Sequence, residues 1–348
     1  MMADTILPGW VEDLIYKLVY HASKAVLAPL QRDSDFYWPF LLSALLIAWL
    51  AWRFWSADHG SKGLTAWKAF RARFLSREIW WHPSARVDYR FYLINAVFVP
   101  VALGSIWLHG ASVNAMLEQL LGSAPAAALN PDYRIAARLA YSLLFFLAYD
   151  FGRFVAHCLL HDVPWLWEFH KVHHSAEVLT PLTAARAHPF DLALMAWVPA
   201  LFTGTLTWCF HRWVDPGIAF YTFLGMHVLV WAFSLVDNLR HWQVWISYGS
   251  GLNRWLISPA HHQLHHSAER EHWGCNRGFE LAIWDRLYGT LRVPPEQQPN
   301  FRFGLGDDTD GRWRSVGRLY FWPFGLLAKR LFKREREPKP EHLQPGPN

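Results

Sequence analysis

The chain has 348 residues, of which 53% are hydrophobic and 18% are charged, and it contains 22 tryptophans and 24 phenylalanines. Soluble domains carry about 25% charged residues, so this composition excludes an ordinary soluble domain, a disordered chain and a collagen-like chain. The three cysteines, Cys158, Cys209 and Cys275, have no paired spacing, so no disulfide framework is expected. The net charge of +5 is small, and no nucleic-acid partner is expected.

The N-terminal segment, residues 1–35, is predicted to lie along a membrane interface. Over residues 10–30, apolar and charged side chains alternate at helical spacing, which is typical of an amphipathic helix. Five apolar stretches then approach the length of about 20 residues that a hydrocarbon core requires. These predicted spans are residues 36–55, 91–108, 135–154, 190–210 and 216–236. The first two spans and their loops form a region over residues 36–134.

The distribution of positive charge predicts the orientation of these spans. Residues 56–90 contain seven lysines and arginines and residues 237–348 contain sixteen, whereas residues 110–133 contain none. Because basic loops remain on the cytoplasmic side of a membrane, the two basic segments are predicted to be cytoplasmic. Residues 294–348 are predicted to form a cytoplasmic tail, which is flexible and basic from residue 329 onward.

Fourteen of the nineteen histidines lie between His157 and His272, mostly on the predicted cytoplasmic side. Within each cluster they lie at positions i and i+4, with a further histidine at i+3 in two clusters, and these positions share one face of a helix. The clusters are His157 and His161; His170, His173 and His174; and His262, His265 and His266. The last two clusters share the pattern His-x-x-His-His-Ser-Ala-Glu, at residues 170–177 and 262–269. We interpret this repeat as two halves of one metal centre.

The residue types favour iron bound by histidine alone. Imidazole binds zinc, copper, iron and nickel, but a structural zinc site has about four ligands and usually includes cysteine. Here at least eight histidines are available, enough for two ions, and the cysteines lack ligand spacing. The sequence contains neither the His-Glu-x-x-His motif of zinc proteases nor the paired Glu-x-x-His motifs of soluble di-iron bundles. The remaining interpretation is a membrane-bound, all-histidine dinuclear iron centre.

The sequence around these histidines resembles the fatty acid hydroxylase/sterol desaturase superfamily of membrane-bound di-iron oxygenases. The resemblance covers residues 141–293 and includes the order of the three histidine motifs, which is highly specific. Similar local segments are Tyr-Asp-Phe at 149–151, Trp-Glu-Phe-His-Lys-Val-His-His-Ser at 167–175, Ser-Pro-Ala-His-His at 258–262, Asn-Arg-Gly at 276–278 and Ile-Trp-Asp-Arg-Leu-Tyr-Gly-Thr at 283–290. The resemblance implies a catalytic domain over residues 135–293, two iron ions as cofactor, O2 as co-substrate and a lipid substrate.

The same resemblance implies two further metal ligands, His188 and His241. His188 begins a His-Pro-Phe-Asp segment similar to the family's His-Pro-x-acid element, and His241 ends an Asn-Leu-Arg-His segment. Four residues before His241, where some members have another histidine, this chain has Asp237, whose carboxylate is expected either to bind metal or to orient His241. The predicted ligands are His157, His161, His170, His173, His174, His188, His241, His262, His265 and His266.

Two other polar residues near the motifs each allow two interpretations, and a third has one expected role. Asp150, near the cytoplasmic end of the third span, either accepts a hydrogen bond from an imidazole or forms an ion pair with Arg153. His227 lies inside the fifth span and is either a ligand or, more in keeping with its position, a packing or channel residue. His261 precedes the third cluster and is expected to support the ligands rather than to bind metal.

The sequence therefore predicts an all-α integral membrane protein with about five transmembrane helices and a histidine-rich cytoplasmic helical cap. The expected function is O2-dependent hydroxylation or desaturation of a lipid C–H bond. A separate reductase, ferredoxin-like protein or cytochrome is expected to supply electrons, because the chain has no dinucleotide-binding fingerprint and no cysteines spaced for an iron–sulfur cluster. Two other classes remain open, a zinc or copper transport or sensor protein and a zinc-dependent membrane hydrolase.

Overall fold

The computed structural model describes residues 8–55, 64–122, 129–307 and 309–332. These residues are mostly helical, with one two-stranded antiparallel hairpin. The first helices are α1 (Gly9–Val26), α2 (Trp38–Trp55), α3 (Leu64–Phe74), α4 (Arg77–Trp80), α5 (Pro83–Leu103) and α6 (Gly110–Leu121). They are followed by α7 (Pro131–Asp162), α8 (Pro164–His174), α9 (Pro189–Trp213), β1 (Thr222–Phe223), β2 (Met226–His227), α10 (Val228–Asp237), α11 (Gly249–Leu252), α12 (Pro259–His265), α13 (Ile283–Tyr288) and α14 (Val316–Phe332). Short 3-10 helices lie at Ala28–Leu30, Gly104–Ile106, Pro181–Ala185 and Arg270–His272.

Three segments of the described chain are long and apolar enough to cross a membrane, judged by length and composition: Pro83–Leu121, Pro131–Asp162 and Pro189–Trp213. They overlap the second, third and fourth predicted spans. Each begins with a proline in the first helical turn, where its missing N–H removes no intrahelical hydrogen bond. The 32 residues of α7 extend over about 48 Å. Because a hydrocarbon core is about 30 Å thick, α7 is long enough to carry its last turns beyond such a core.

The first and fifth predicted spans differ from this pattern. Trp38–Phe54 and Val228–Asp237 are shorter apolar helices. In the region 216–236, the hairpin of β1 and β2 replaces the first half of the predicted helix, and α10 has only 10 residues. Leu224 and Gly225 in the hairpin turn have φ values of 50° and 88°, which a right-handed helix does not contain. The expectation of a continuous helix over 216–236 is therefore wrong.

The helices that carry the third and fourth spans approach each other closely. α7 and α6 both pack against α9. A Cβ atom on Gly152 of α7 would lie 2.6 Å from Cα of Pro199 in α9, and a Cβ atom on Gly204 of α9 would lie 2.5 Å from the main-chain oxygen of Gly110 in α6. Only glycine permits this backbone contact, which fixes the position of α7 and of the histidines near its C-terminal end.

Part of the predicted C-terminal tail is a packed helix. α14 contacts α8 and α5, and its Leu319 is fully buried in an apolar cluster with Val87, Phe91, Val172 and Trp313. Residues 316–332 therefore belong to the folded region around the histidine motifs. Residues 333–348, which make up most of the segment predicted to be flexible, lie outside the described residues.

Candidate metal centre

Nine histidines converge near the C-terminal end of α7 in two groups. The five-histidine group consists of His157, His161, His170, His174 and His265, and the four-histidine group consists of His173, His241, His262 and His266. Within each group, one nitrogen of each ring lies within 4.8 Å of the corresponding nitrogens of the others. The structure therefore brings together all the predicted ligands except His188.

Each repeated motif contributes histidines to both groups. The first and third histidines of a motif belong to one group and the second belongs to the other: His170 and His174 against His173, and His262 and His266 against His265. Helix geometry explains this division. Residues i and i+4 are separated by about 40° around the helix axis, whereas residue i+3 lies about 60° away from i on the opposite side. The two motifs thus exchange roles, so that each group receives two rings from one motif and one ring from the other.

Prolines determine where the ligand-bearing helices begin. α7 ends at Asp162, and Pro164 is the first residue of α8, so the chain changes direction between His161 and His170. Pro259 likewise begins α12, directly before the third cluster. Because proline is preorganised for the first helical turn, both short helices start at a fixed point, and this sets the direction of their histidines.

In the five-histidine group, the distances between ring nitrogens are typical of ligands around one cation. Nε2 of His157 lies 3.1 Å from Nε2 of His170, 3.2 Å from Nε2 of His161 and 3.1 Å from Nε2 of His265. Nitrogens bound at about 2.1 Å to one ion are about 3.0–3.4 Å apart. A neutral ring carries only one N–H, so hydrogen bonds among the rings do not account for three such contacts to one nitrogen.

The four-histidine group has the same spacing. Nε2 of His241 lies 3.3 Å from Nε2 of His173 and 2.9 Å from Nε2 of His262. Nε2 of His266 lies 3.1 Å from Nε2 of His262. The two groups adjoin, since the ring centroids of His174 and His266, one from each group, are 4.7 Å apart. The arrangement therefore fits two neighbouring ions.

Main-chain carbonyls fix the tautomer of two central rings. Nδ1 of His157 donates to the carbonyl of Arg277 at 2.8 Å, and Nδ1 of His265 donates to the carbonyl of Cys275 at 2.7 Å. Since a carbonyl only accepts, the proton of each neutral ring is on Nδ1 and a lone pair is on Nε2. These lone pairs face each other at 3.1 Å and repel unless a cation binds both.

Seven of the nine histidines lie outside the candidate membrane-spanning segments. Burial keeps their rings in the neutral form, which is the form that binds metal. Desolvation lowers the pKa of His170 and His265 to about 3. Burial, reinforced by neighbouring imidazoles, holds the pKa of five more rings well below the usual range: His173, His174, His241, His262 and His266. Nε2 of His174 is buried and has no hydrogen-bond partner among the described residues. A bound ion would satisfy this nitrogen.

Asp191 is a functional candidate that the sequence analysis missed. Its Oδ2 lies 3.3 Å from Nδ1 of His170, and the residue is 2% exposed. A carboxylate that accepts from a ligand's second nitrogen fixes the ring and makes it a stronger metal ligand. The carboxylate is the last residue of the His-Pro-Phe-Asp segment, in which the sequence indicated a ligand only at the histidine.

His188 lies outside both groups. Its Nδ1 accepts the main-chain N–H of Phe190 at 3.3 Å, and its Nε2 donates to the carbonyl of Tyr320 at 3.2 Å. His188 is therefore the N-terminal cap of α9, and neither nitrogen has a lone pair free for metal in this arrangement.

Asp237 does not join the four-histidine group. Its Oδ1 lies 2.9 Å from Nε of Arg240, so its carboxylate forms an ion pair next to His241 along the chain. Among the described residues, Asp237 belongs to neither histidine group, and no hydrogen bond joins its carboxylate to the His241 ring. The four-histidine group therefore has one candidate ligand fewer than its neighbour.

Asp150 supports the backbone near the site rather than an imidazole. It is fully buried and accepts hydrogen bonds from the main-chain N–H groups of Glu280 and Leu281 and from the indole of Trp284, at 3.0, 3.2 and 2.8 Å. Arg153 pairs with Glu280 instead, at 3.2 Å. Neither interpretation of Asp150 from the sequence matches these contacts.

The two remaining candidate histidines are also outside the groups. Nε2 of His227 donates to the carbonyl of Ser142 at 2.9 Å, and its Nδ1 accepts the main-chain N–H of Leu229. Nδ1 of His261 accepts the main-chain N–H of Ser258 at 3.0 Å. These contacts support the packing role for His227 and the supporting role for His261.

Comparison with known proteins gives a consistent set of relatives. Residues 142–290 match the family model described as fatty acid hydroxylase. Cholesterol 25-hydroxylase from Rattus norvegicus is 28% identical over 175 residues, which are 50% of this chain and 54% of that protein. Alkylglycerol monooxygenase from Xenopus tropicalis is 29% identical over 158 residues, 44% of this chain and 31% of that protein. Ornithine lipid hydroxylase OlsE from Rhizobium tropici is 30% identical over 149 residues, 42% of this chain and 40% of that protein.

The matching region is limited in extent. The aligned stretches span from about a third to about half of the length of these relatives. Residues 142–290, which match the family model, include the three histidine motifs. No solved structure matches the chain.

Proposed function

We propose that this protein belongs to the fatty acid hydroxylase/sterol desaturase superfamily, whose fatty acid hydroxylase model matches residues 142–290. We further propose that it is a multi-pass membrane oxidoreductase that uses two iron ions and O2 to oxidise a C–H bond of a lipid. The observation that carries the proposal is the convergence of nine imidazoles in two adjacent groups. Iron suits such a site, because imidazole binds iron and no thiolate takes part. Cys275 contributes its carbonyl rather than its thiol.

The chain's own contribution is to hold the ligands, exclude water and position one carbon of the lipid. When bound, two iron ions would supply O2 activation and C–H oxidation, for which side chains alone have no equivalent. Trp167 packs against His161 and His174, with ring centroids 5.1 and 5.4 Å apart, and Phe279 lies 5.4 Å from His157. These aromatic rings cover the five-histidine group and keep water away from an oxidising site.

Hydroxylation is the favoured reaction. The relatives are named as hydroxylases or a monooxygenase, and their names refer to cholesterol, alkylglycerol and ornithine lipid. We therefore propose insertion of one oxygen atom into a lipid, with desaturation as the alternative product of the same oxidation. Electrons are proposed to come from a separate reductase, ferredoxin-like protein or cytochrome.

The metal centre is proposed to lie on the cytoplasmic face. The basic segments of the sequence support this orientation, and α7 is long enough to carry its last turns beyond a hydrocarbon core. Reporter tags inserted after residue 120 and at residue 348 should lie on opposite sides of the membrane. Tags on the same side would contradict the orientation but not the chemistry.

Metal content and O2 dependence test the activity directly. Protein purified without oxygen should contain about two irons per chain and should consume O2 only when both reductant and a lipid extract are present. Mass spectrometry of host lipids with and without the gene should then reveal a lipid that gains one oxygen. Tightly bound zinc with no O2 dependence would favour a zinc hydrolase or metal-handling protein instead.

A further inference from the structure

Arg186 is a fully buried arginine between the ligand-bearing helices. It follows the 3-10 helix Pro181–Ala185 and has no solvent-exposed surface. A buried guanidinium is costly unless its donors are satisfied. Oxygen atoms of α8, α5 and the segment before α14 accept from its donors.

One side of the guanidinium binds the C-terminal turn of α8. Nε donates to the carbonyl of Val172 at 2.9 Å and to Oγ of Ser175 at 3.2 Å. Nη2 donates to Oγ of Ser175 at 2.9 Å. Val172 and Ser175 flank the histidine pair His173 and His174, so these bonds fix the turn that presents both rings.

The other side of the guanidinium is anchored to α5 and to the segment before α14. Nη1 lies 2.7 Å from Oδ1 of Asp88 and 3.3 Å from Oγ of Ser84. Nη2 donates to the carbonyl of Trp313 at 3.1 Å. Asp88 is itself fully buried and accepts a second bond from Oγ1 of Thr183 at 2.8 Å. The guanidinium is thus held from two chain segments that contribute no metal ligand.

The main chain of Arg186 contacts a ligand ring directly. Nδ1 of His173 donates to the Arg186 carbonyl at 3.3 Å. One residue therefore fixes the helix turn around His173 through its side chain and the His173 ring through its backbone. The other members of the four-histidine group have no bond to Arg186 among the described contacts. Arg186 therefore acts on this group through His173.

We infer that Arg186 is a positioning residue for the four-histidine group, which it connects to α5 and to the segment before α14. The inference rests on the proposed metal centre. Loss of its bonds to α8 should weaken binding of the ion in the four-histidine group. The ion in the five-histidine group should be affected less, because His157, His170 and His265 are each held at Nδ1 by a group other than Arg186.

Two serines that bind the same guanidinium provide a matched test. Ser175→Ala removes a hydroxyl that joins Arg186 to α8, and Ser84→Ala removes one that joins Arg186 to α5. Arg186→Lys is the stronger change, because a lysine does not reproduce the planar fork of donors. Iron bound per chain is measured in the purified full-length protein against increasing chelator, and His173→Ala identifies the dissociation step of the four-histidine group.

Ser175→Ala and Arg186→Lys should weaken that one step by about 10–100-fold, the usual effect of losing a group that supports a ligand. Ser84→Ala should weaken the same step by a smaller factor, because Asp88 still holds Nη1 at 2.7 Å. Thermal unfolding of the metal-free variants serves as the control for stability. If Arg186→Lys does not fold, Ser175→Ala decides the outcome.

The inference is overturned if Ser175→Ala leaves both steps unchanged, or if both serine variants weaken both steps equally in proportion to lost stability. The proposed metal centre fails in a different way. In that case, the wild-type protein does not bind two irons, and the variants have no step to compare.

Discussion

The five-histidine group and the four-histidine group come from the same repeated motif but differ in what holds their rings. In the five-histidine group, Nδ1 of His157, His265 and His170 each has an acceptor, at 2.8, 2.7 and 3.3 Å. In the four-histidine group, His173 donates to a carbonyl at 3.3 Å. Nδ1 of His262 and of His266 is buried with no hydrogen-bond partner in the part of the chain that the structure describes.

A sequence repeat therefore does not make two equivalent sites. Hydrogen bonds behind a ligand ring fix its tautomer, limit its rotation and increase its affinity for metal. The five-histidine group has both more rings and more of these bonds. We therefore expect it to bind its ion more tightly than the four-histidine group.

The largest effect is expected from two neighbouring residues that belong to different groups. His173→Ala and His174→Ala should each abolish lipid oxidation, because the proposed reaction needs both ions. The iron that remains should differ, with the tightly bound ion kept in His173→Ala and the weakly bound one kept in His174→Ala. Iron per chain at increasing chelator concentration measures this.

Two results would contradict the expectations for His173→Ala and His174→Ala. If both variants lose the same ion, the division of α8 between the two groups is wrong. If His173→Ala keeps two irons and full activity, the di-iron proposal itself fails. His211→Ala, which alters a ring next to the carbonyl of Ile218 and outside both groups, should keep both ions and activity.

A smaller effect is expected for the carboxylate that supports the five-histidine group. Asp191→Asn retains the shape of the side chain but removes the charge that faces Nδ1 of His170. Affinity for the ion in that group should fall about 10–100-fold, while the other ion is unaffected. An equal loss of both ions, measured by the same chelator titration, would show that Asp191 supports the fold rather than His170.

Asp150→Asn should change stability and leave the iron affinities unchanged. The carboxylate accepts two main-chain N–H groups and an indole N–H, and hydrogen bonds to a charged group contribute about 1.5–3 kcal/mol each. Thermal unfolding of the iron-loaded protein should therefore occur at lower temperature. A selective loss of one ion without a change in unfolding would instead support the orienting role that the sequence indicated.

The sequence was sufficient for features that depend on local spacing. Positions i, i+3 and i+4 predict a shared helical face, and all eight histidines of the three motifs converge, together with His241, which the family resemblance implied. The same spacing also explains which ring joins which group, because residue i+3 lies at a different angle around the helix axis from residues i and i+4. The membrane spans predicted at α7 and α9 were predictable too, because hydropathy depends only on residues that are neighbours in the sequence.

Features that depend on contacts between distant segments were not predictable. The partners of Asp150 lie about 130 residues away, and the pairing of Asp191 with His170 joins α9 to α8. The fifth span was wrong because averaged hydropathy does not detect a two-residue turn such as Leu224 and Gly225. His188 matched a family element, but its role as a helix cap depends on the fold around Pro189.

The smallest effect is expected for His188→Ala, which tests whether membership of a group can be inferred from a motif alone. The ring caps α9 and donates to the carbonyl of Tyr320, so its loss should cost about 1 kcal/mol of stability, as for other N-terminal caps. Both irons and lipid oxidation should be retained, because neither nitrogen is directed to a shared ion. Asp191→Asn in the same segment serves as the positive control for a change that does affect the metal. If His188→Ala loses the ion of the four-histidine group, the ring must leave its cap position and coordinate when metal binds, and the two groups would then have five ligands each.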